Sequence, residues 1–137
     1  VALEVEVNPA SGHVRVVRAV ASADSGHIVN PDGVSNQIEG GLIQSLSWTL
    51  KEQVHFDDTQ VLSSDWASYP ILGFSEAPPI EVVLINRPGA PFLGTGEASQ
   101  GPTGAALANA VFDATGVRYR ELPLTPQRIL DGLKKSS

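Results

Sequence analysis

Residues 3–20 read LEVEVNPASGHVRVVRAV, and how this stretch folds decides the start of the architecture. Leu3, Val5 and Val7 alternate with Glu4 and Glu6. After the turn formers NPASG, Val14 and Val16 alternate with His13, Arg15 and Val17. A period of two on both sides of a turn predicts a β-hairpin with one buried face. Downstream, ASADSGHIVNPDG (21–33) is dense in Asp, Ser, Gly and Asn and reads as a loop delivering the chain to a helix that begins near Gly33. Val34, Ile38, Leu42, Leu46 and Leu50 then recur at helical spacing, with Gly40 and Gly41 inside the pattern. Each of those glycines costs about 1 kcal/mol against alanine, so something is expected to approach that backbone closely.

Further along, KEQVHFDDTQVLSS (51–64) predicts a strand, a turn at Asp57–Gln60 and a second short strand, and Ile80–Ile85 forms one strong strand. A helix of mostly small residues follows from about Gly104 to Thr115, ended by Gly116 at the C′ position. YRELPL (119–124) reads as short and extended, and a last helix opens with Thr125 as N-cap and Pro126 at N1. The order is strands, helix, strands, helix, helix, without regular βαβ alternation. That predicts an α+β fold with a mixed or antiparallel sheet and packed helices.

At 137 residues, 42% hydrophobic and 18% charged, residues 1–137 are expected to form a single domain. Nine Lys and Arg against fifteen Asp and Glu give a net charge of −6, which argues against nucleic acid as a partner. The absence of cysteine removes disulfides, thiolate metal sites and a cysteine nucleophile. No apolar run reaches the roughly 20 residues of a membrane span. Because the first residue is Val1, the chain is expected to be a piece of a longer protein or a processed product.

The chemistry concentrates in GTGEASQGPTGA (94–105), which holds four glycines and one charged residue, Glu97. Gly96–Thr103 spells G-x-x-x-x-G-P-T, one residue from a phosphate-binding P-loop, but that residue is the lysine the chemistry needs. Two readings remain open on the residues alone: a glycine-rich linker with a solvated carboxylate at a helix start, or a loop whose glycines let backbone approach a cofactor while Glu97 acts as general base. A carboxylate becomes an effective base near neutrality when burial beside apolar groups raises its affinity for protons; PFLG (91–94) and AALANAVF (105–112) are the expected source of such burial.

Taken together, the GTGE loop, ALANAVFDATG (106–116) and LPLTPQRIL (122–130) resemble the C-terminal part of the large subunit of molybdenum hydroxylases. The nearest branch is that of isoquinoline 1-oxidoreductase and related aldehyde dehydrogenases, relatives of xanthine dehydrogenase. DSGHIVNPDGVSNQIEGGLIQSLSWTL (24–50) resembles a second block of the same family: Asn-Pro, then Gln-x-Glu-Gly, then an apolar helix. The resemblance implies a molybdenum cofactor-binding fold, and that the chain is the C-terminal cofactor-binding domain or a fragment of a larger subunit, inactive alone. It implies that Glu97 is the catalytic base, taking the proton from the hydroxyl whose oxygen attacks an electron-poor carbon. Gly96 matches a position whose backbone lies against the metal centre, and Gln37 one that hydrogen-bonds the pterin. No residue is implied as a direct metal ligand.

The implied cofactors are a molybdenum-pterin in its cytosine dinucleotide form and iron–sulfur clusters on a partner subunit. The implied partners are the rest of the large subunit, a small iron–sulfur subunit and a small-molecule substrate, an aldehyde or N-heteroaromatic. Thr95 stands where relatives often carry valine, and ASQGPTG (98–104) replaces a proline-rich continuation, which bears on the substrate pocket rather than the base. The reading from another class is a non-catalytic interaction or scaffolding module that keeps the fold without cofactor. Among the other polar residues, Glu39 reads as structural, Asp24 and Asn30 as loop-ordering, and His13, His27 and His55 as surface or turn histidines. Asp57 and Asp58 read as a solvated turn, and Trp48 and Trp66 as core or interface residues.

Overall fold

The computed structural model describes residues 1–136. The elements are β1 (Ala2–Val7), β2 (Val14–Asp24), α1 (Pro31–Leu50), β3 (Ile80–Ile85), α2 (Gln100–Thr115) and α3 (Pro126–Ser136), with one 3₁₀ turn at Phe74–Glu76. The expected hairpin forms: β1 pairs antiparallel with β2, Leu3 opposite Ala19 and Val7 opposite Val14, with a bulge between Glu4 and Val5. β3 lies parallel on the other edge of β2, from Ala19 opposite Ile80 to Asp24 opposite Ile85. The sheet is therefore mixed and the fold α+β, with one β–α–β crossover through α1.

That parallel pairing corrects the reading of Ala21–Asp24 as loop. Their polar, small composition favours a turn locally, but each opposes a β3 residue and is held extended by the ladder. The helix starts at Pro31 rather than near Gly33, because Asn30 is its N-cap: Asn30 Oδ1 accepts from the Gly33 amide at 2.9 Å, and proline suits the first turn. α2 likewise begins at Gln100, not Gly104, its Gly101-Pro102 pair sitting in the first turn, where proline's missing N–H costs nothing. The two strands expected in 51–64 shrink to a single bridge between Phe56 and Val61. Residues 119–124, expected to be extended, form no strand and bend at 121–123. α3 starts as expected, the Arg128 amide donating to Thr125 Oγ1.

The core lies between the sheet and the helices. Val14, Val16, Ala19 and Ala21 of β2 meet Ile38, Leu42, Leu46 and Leu50 of α1, closed by Leu107 and Val111 of α2 and by Leu124 and Ile129. The helical stripe read from the sequence is thus the buried face of α1, with Val34 half-buried at its start. A second, small-residue face of α1 packs on α2. A Cβ on Gly41 would come 2.6 Å from Ser99 Oγ, Ser45 Oγ donates to the Gln100 carbonyl at 2.8 Å, and a Cβ on Gly104 would meet Thr49 Oγ1 at 3.3 Å. Gly41, Ser45 and Thr49 recur every four residues, which is what lets the two helices approach so closely. The expected close approach is therefore found at Gly41; nothing lies within 4 Å of a Cβ on Gly40. Among the described residues, no helix is long and apolar enough to cross a membrane.

Candidate functional site

The α1–α2 seam places the GTGE loop beside Gln37. Ser99, buried at the start of α2, donates from Oγ to the Ile38 carbonyl at 2.8 Å, and Gln100 Nε2 donates to Gln44 Oε1 at 2.8 Å. These bonds pin the downstream end of the loop to α1 over the turn that carries Gln37. The upstream end is pinned to the loop that follows β2: the Leu93 amide donates to the Ser25 carbonyl at 3.0 Å. Gly26, at φ +71°, lies so close to the Pro91 carbonyl that a Cβ there would overlap it. Asp24 accepts from the Gly26 amide and pairs with Arg87 Nε at 2.7 Å, Asn86 Oδ1 accepts from Ile28, and His27 Nδ1 accepts from Gly89. Asp24 and His27 therefore order this junction, and Asn30 caps α1.

Between the two pins, the amides of Gly94, Thr95, Gly96 and Glu97 bond to no other described group, while the Thr95 and Glu97 carbonyls accept from Ala98 and Gln100. The nearest atom to a Cβ built on Gly96 is Gln37 Oε1, at 3.9 Å. The structure thus brings Gln37 and Gly96 together, two elements and 59 positions apart in the chain, with Glu97 the next residue. Gln37 and Glu97 are both exposed. The burial expected for Glu97 is not supplied by the described residues: Phe92 and Leu93 themselves face solvent, and the apolar side of α2, Leu107 and Val111, turns to the core.

Two cavities flank α1. One of about 260 Å³ backs onto the loop, lined by Ala21–Ser25, Ile38, Gly94, Thr95, Ala98 and Ser99, and the Ser25 hydroxyl at its wall is buried without a partner. The other, about 230 Å³ and more apolar, lies at the far end of α1 among Val14, Leu46, Leu50, Leu72 and Pro79, with the Lys51–Glu76 ion pair at its edge. Of the two, only the first is lined by residues of the GTGE loop, Gly94 and Thr95.

No group of three or more His, Asp or Glu able to hold a metal exists among the described residues. What the corner offers is a carboxamide, free backbone amides, a glycine without a side chain and one carboxylate. Those groups suit the polar edge of an organic cofactor and a proton transfer beside it, not metal ligation. Sequence reasoning missed Ser99 and Ser45; their signal was the four-residue spacing of small residues in α1, overshadowed by the stronger apolar stripe. Glu39 is half-buried, as is Trp48, whereas Trp66 is exposed and so is no part of this core.

A sequence profile of the molybdopterin cofactor-binding domain matches residues 1–78. One subunit of the nicotinate dehydrogenase of Pseudomonas putida is 49% identical over 126 residues, which is 92% of this chain and 11% of that protein. The molybdenum-binding subunit PaoC of the Escherichia coli aldehyde oxidoreductase is 33% identical over 96% of this chain and 19% of its own length. Among solved structures, quinoline 2-oxidoreductase from Pseudomonas putida 86 superposes with a TM-score of 0.87 at 31% identity, covering 96% of this chain and 18% of that one. The chain thus spans less than a fifth of each of these relatives. Profile, relatives and fold agree: the chain belongs to the molybdopterin cofactor-binding domains of the xanthine dehydrogenase/aldehyde oxidase family.

Proposed function

We propose that this chain is the C-terminal cofactor-binding part of a molybdenum hydroxylase large subunit, in which Gln37 and Gly96 contact the cofactor and Glu97 is the general base. The observation that carries this reading is the meeting of Gln37 with Gly96 beside a run of unpartnered amides. A bound molybdenum-pterin, which we take to be the cytosine dinucleotide form, supplies two-electron oxidation and oxygen transfer. Gln37 can both donate to and accept from a pterin edge. Gly96 leaves room for backbone to lie flat against the bound group. A Glu97 carboxylate oxygen takes up the proton released as water-derived oxygen passes to the substrate carbon. The apolar surroundings that such a base needs come, on this reading, from cofactor, substrate and protein beyond these residues.

The substrate class is an N-heteroaromatic or an aldehyde, each offering an electron-poor carbon; two of the relatives above are named for N-heteroaromatics and one for aldehydes. Electrons leave through iron–sulfur clusters on a partner subunit, since this chain has no cysteine to hold a cluster. In the full-length enzyme, Glu97→Gln should lower turnover by about 10²–10⁴-fold, the usual worth of a positioned base, and leave the molybdenum content near that of the wild type. Unchanged turnover removes Glu97 from the role; a full-length protein that carries no molybdenum at all supports the scaffolding module instead.

A further inference from the structure

The stretch from Glu52 to Pro79 takes no part in the site and hardly any in the core. Its residues Val54, Phe56, Val61, Leu62, Trp66, Ile71 and Phe74 are all exposed, Phe56 at 73% and Phe74 at 99%. Only Leu72 of this stretch is packed against the core cluster. Phe56 and Val61 face each other across a miniature hairpin. Asp57 closes its turn, accepting from the Thr59 and Gln60 amides, and the Leu62 amide donates to the His55 carbonyl at 2.7 Å. A two-stranded hairpin with neither a third strand nor a core beneath it is marginal in water, so a hairpin with bare apolar side chains needs a cover.

Charge narrows what that cover is. Glu52, Asp57, Asp58, Asp65 and Glu76 fall within this stretch and no Lys or Arg does. Hydrogen bonds from the Thr59 hydroxyl to Asp57 and from the Ser68 hydroxyl to Asp65 hold both carboxyls below the usual carboxylate range, so the tips stay anionic. A second copy of this chain is a poor complement: it carries a charge of −6, and five of its nine Lys and Arg, namely Arg15, Arg18, Lys51, Arg87 and Arg128, are already paired with its own carboxylates. More than four-fifths of each relative compared lies outside the matched region, which provides ample protein surface for the role.

We infer that the 54–62 hairpin, with Trp66 and Phe74, is a docking element that seats in an apolar groove with a basic rim, formed by the part of the large subunit outside these 137 residues. The aromatic side chains fill the groove, and Asp57 and Asp58 at the turn meet Lys or Arg at its edge. This inference is independent of Glu97. It is tested in the full-length subunit with a photoreactive benzoylphenylalanine placed at position 56, irradiation, and mapping of the cross-linked peptides. The expected result is a cross-link to a segment of the same polypeptide outside residues 1–137 that contains Lys or Arg, with a yield falling at least fivefold when Asp57→Lys and Asp58→Lys are combined. Cross-links only to a second copy of this chain or to another polypeptide overturn the inference. So does a yield no higher than that of the same probe at exposed Val29, or one unaffected by the charge reversal.

Discussion

At the scale of single residues, two neighbouring glycines in one helix carry opposite expectations. Gly40 faces open space, so Gly40→Ala should raise the stability of the chain by about 1 kcal/mol through helix propensity alone. Gly41 faces Ser99 Oγ at 2.6 Å from its virtual Cβ, and that oxygen is buried and bonded to the Ile38 carbonyl, so it has little freedom to give way. Overpacking there costs about 1–3 kcal/mol, which exceeds the propensity gain. Gly41→Ala should therefore lower the melting temperature where Gly40→Ala raises it, and thermal unfolding of the two variants side by side checks the sign. Both glycines stood out in the sequence, but only the fold shows which one a neighbour approaches.

At the scale of elements, the α1–α2 seam decides where the loop sits. Ser99→Ala removes the Oγ bond to Ile38 and should cost about 0.5–1.5 kcal/mol. It also removes the atom that a Gly41 Cβ would strike, so the double variant should be less destabilised than the sum of the singles, a coupling that chemical denaturation of all four proteins measures. The other end of α1 is tied by Lys51 Nζ to both oxygens of Glu76 at 2.6 Å. That contact first, and the Gly73 amide second, hold the Glu76 carboxyl below its ordinary range.

A carboxyl depressed in the folded state stabilises above its unfolded pKa, about 4.3 for glutamate, and that contribution disappears as pH falls through the folded value. The difference in melting temperature between wild type and Glu76→Gln should accordingly be present at pH 7 and close progressively below about pH 4. The pair is partly solvated, so the difference is expected to be small.

Elements were legible wherever local pattern and tertiary context agreed. The period of two in residues 3–7 and 14–17, and the stripe from Val34 to Leu50, each describe a face that the core does bury. Ala21–Asp24 were not legible, because their extended form comes from pairing with β3, some 60 residues on. The strands expected within 51–64 fail for the converse reason: Val54 and Phe56 flank a polar residue as in a strand, but no face of the described residues buries them.

At the scale of the whole molecule, so short a chain has organised its own core yet leaves Phe56, Trp66, Phe74 and Phe92 and its proposed base exposed. Gln37, Gly96 and Glu97 could be named from the resemblance, and the structure adds that Gln37 and Gly96 share one corner. The burial expected around Glu97 could not be read correctly from PFLG and α2, because an apolar residue next in sequence can face solvent, as Phe92 does, or the core, as Leu107 does. The proposed contact of this corner with the molybdenum cofactor can be probed at Gly96. Among the described residues, its two chain neighbours aside, nothing comes closer than 3.9 Å to a Cβ at that position and its φ is not positive, so Gly96→Ala should leave the fold unaffected. Molybdenum per full-length subunit, measured for wild type and Gly96→Ala, should fall severalfold in the variant while its apo-protein melts at the wild-type temperature; equal molybdenum in the two proteins contradicts the claim.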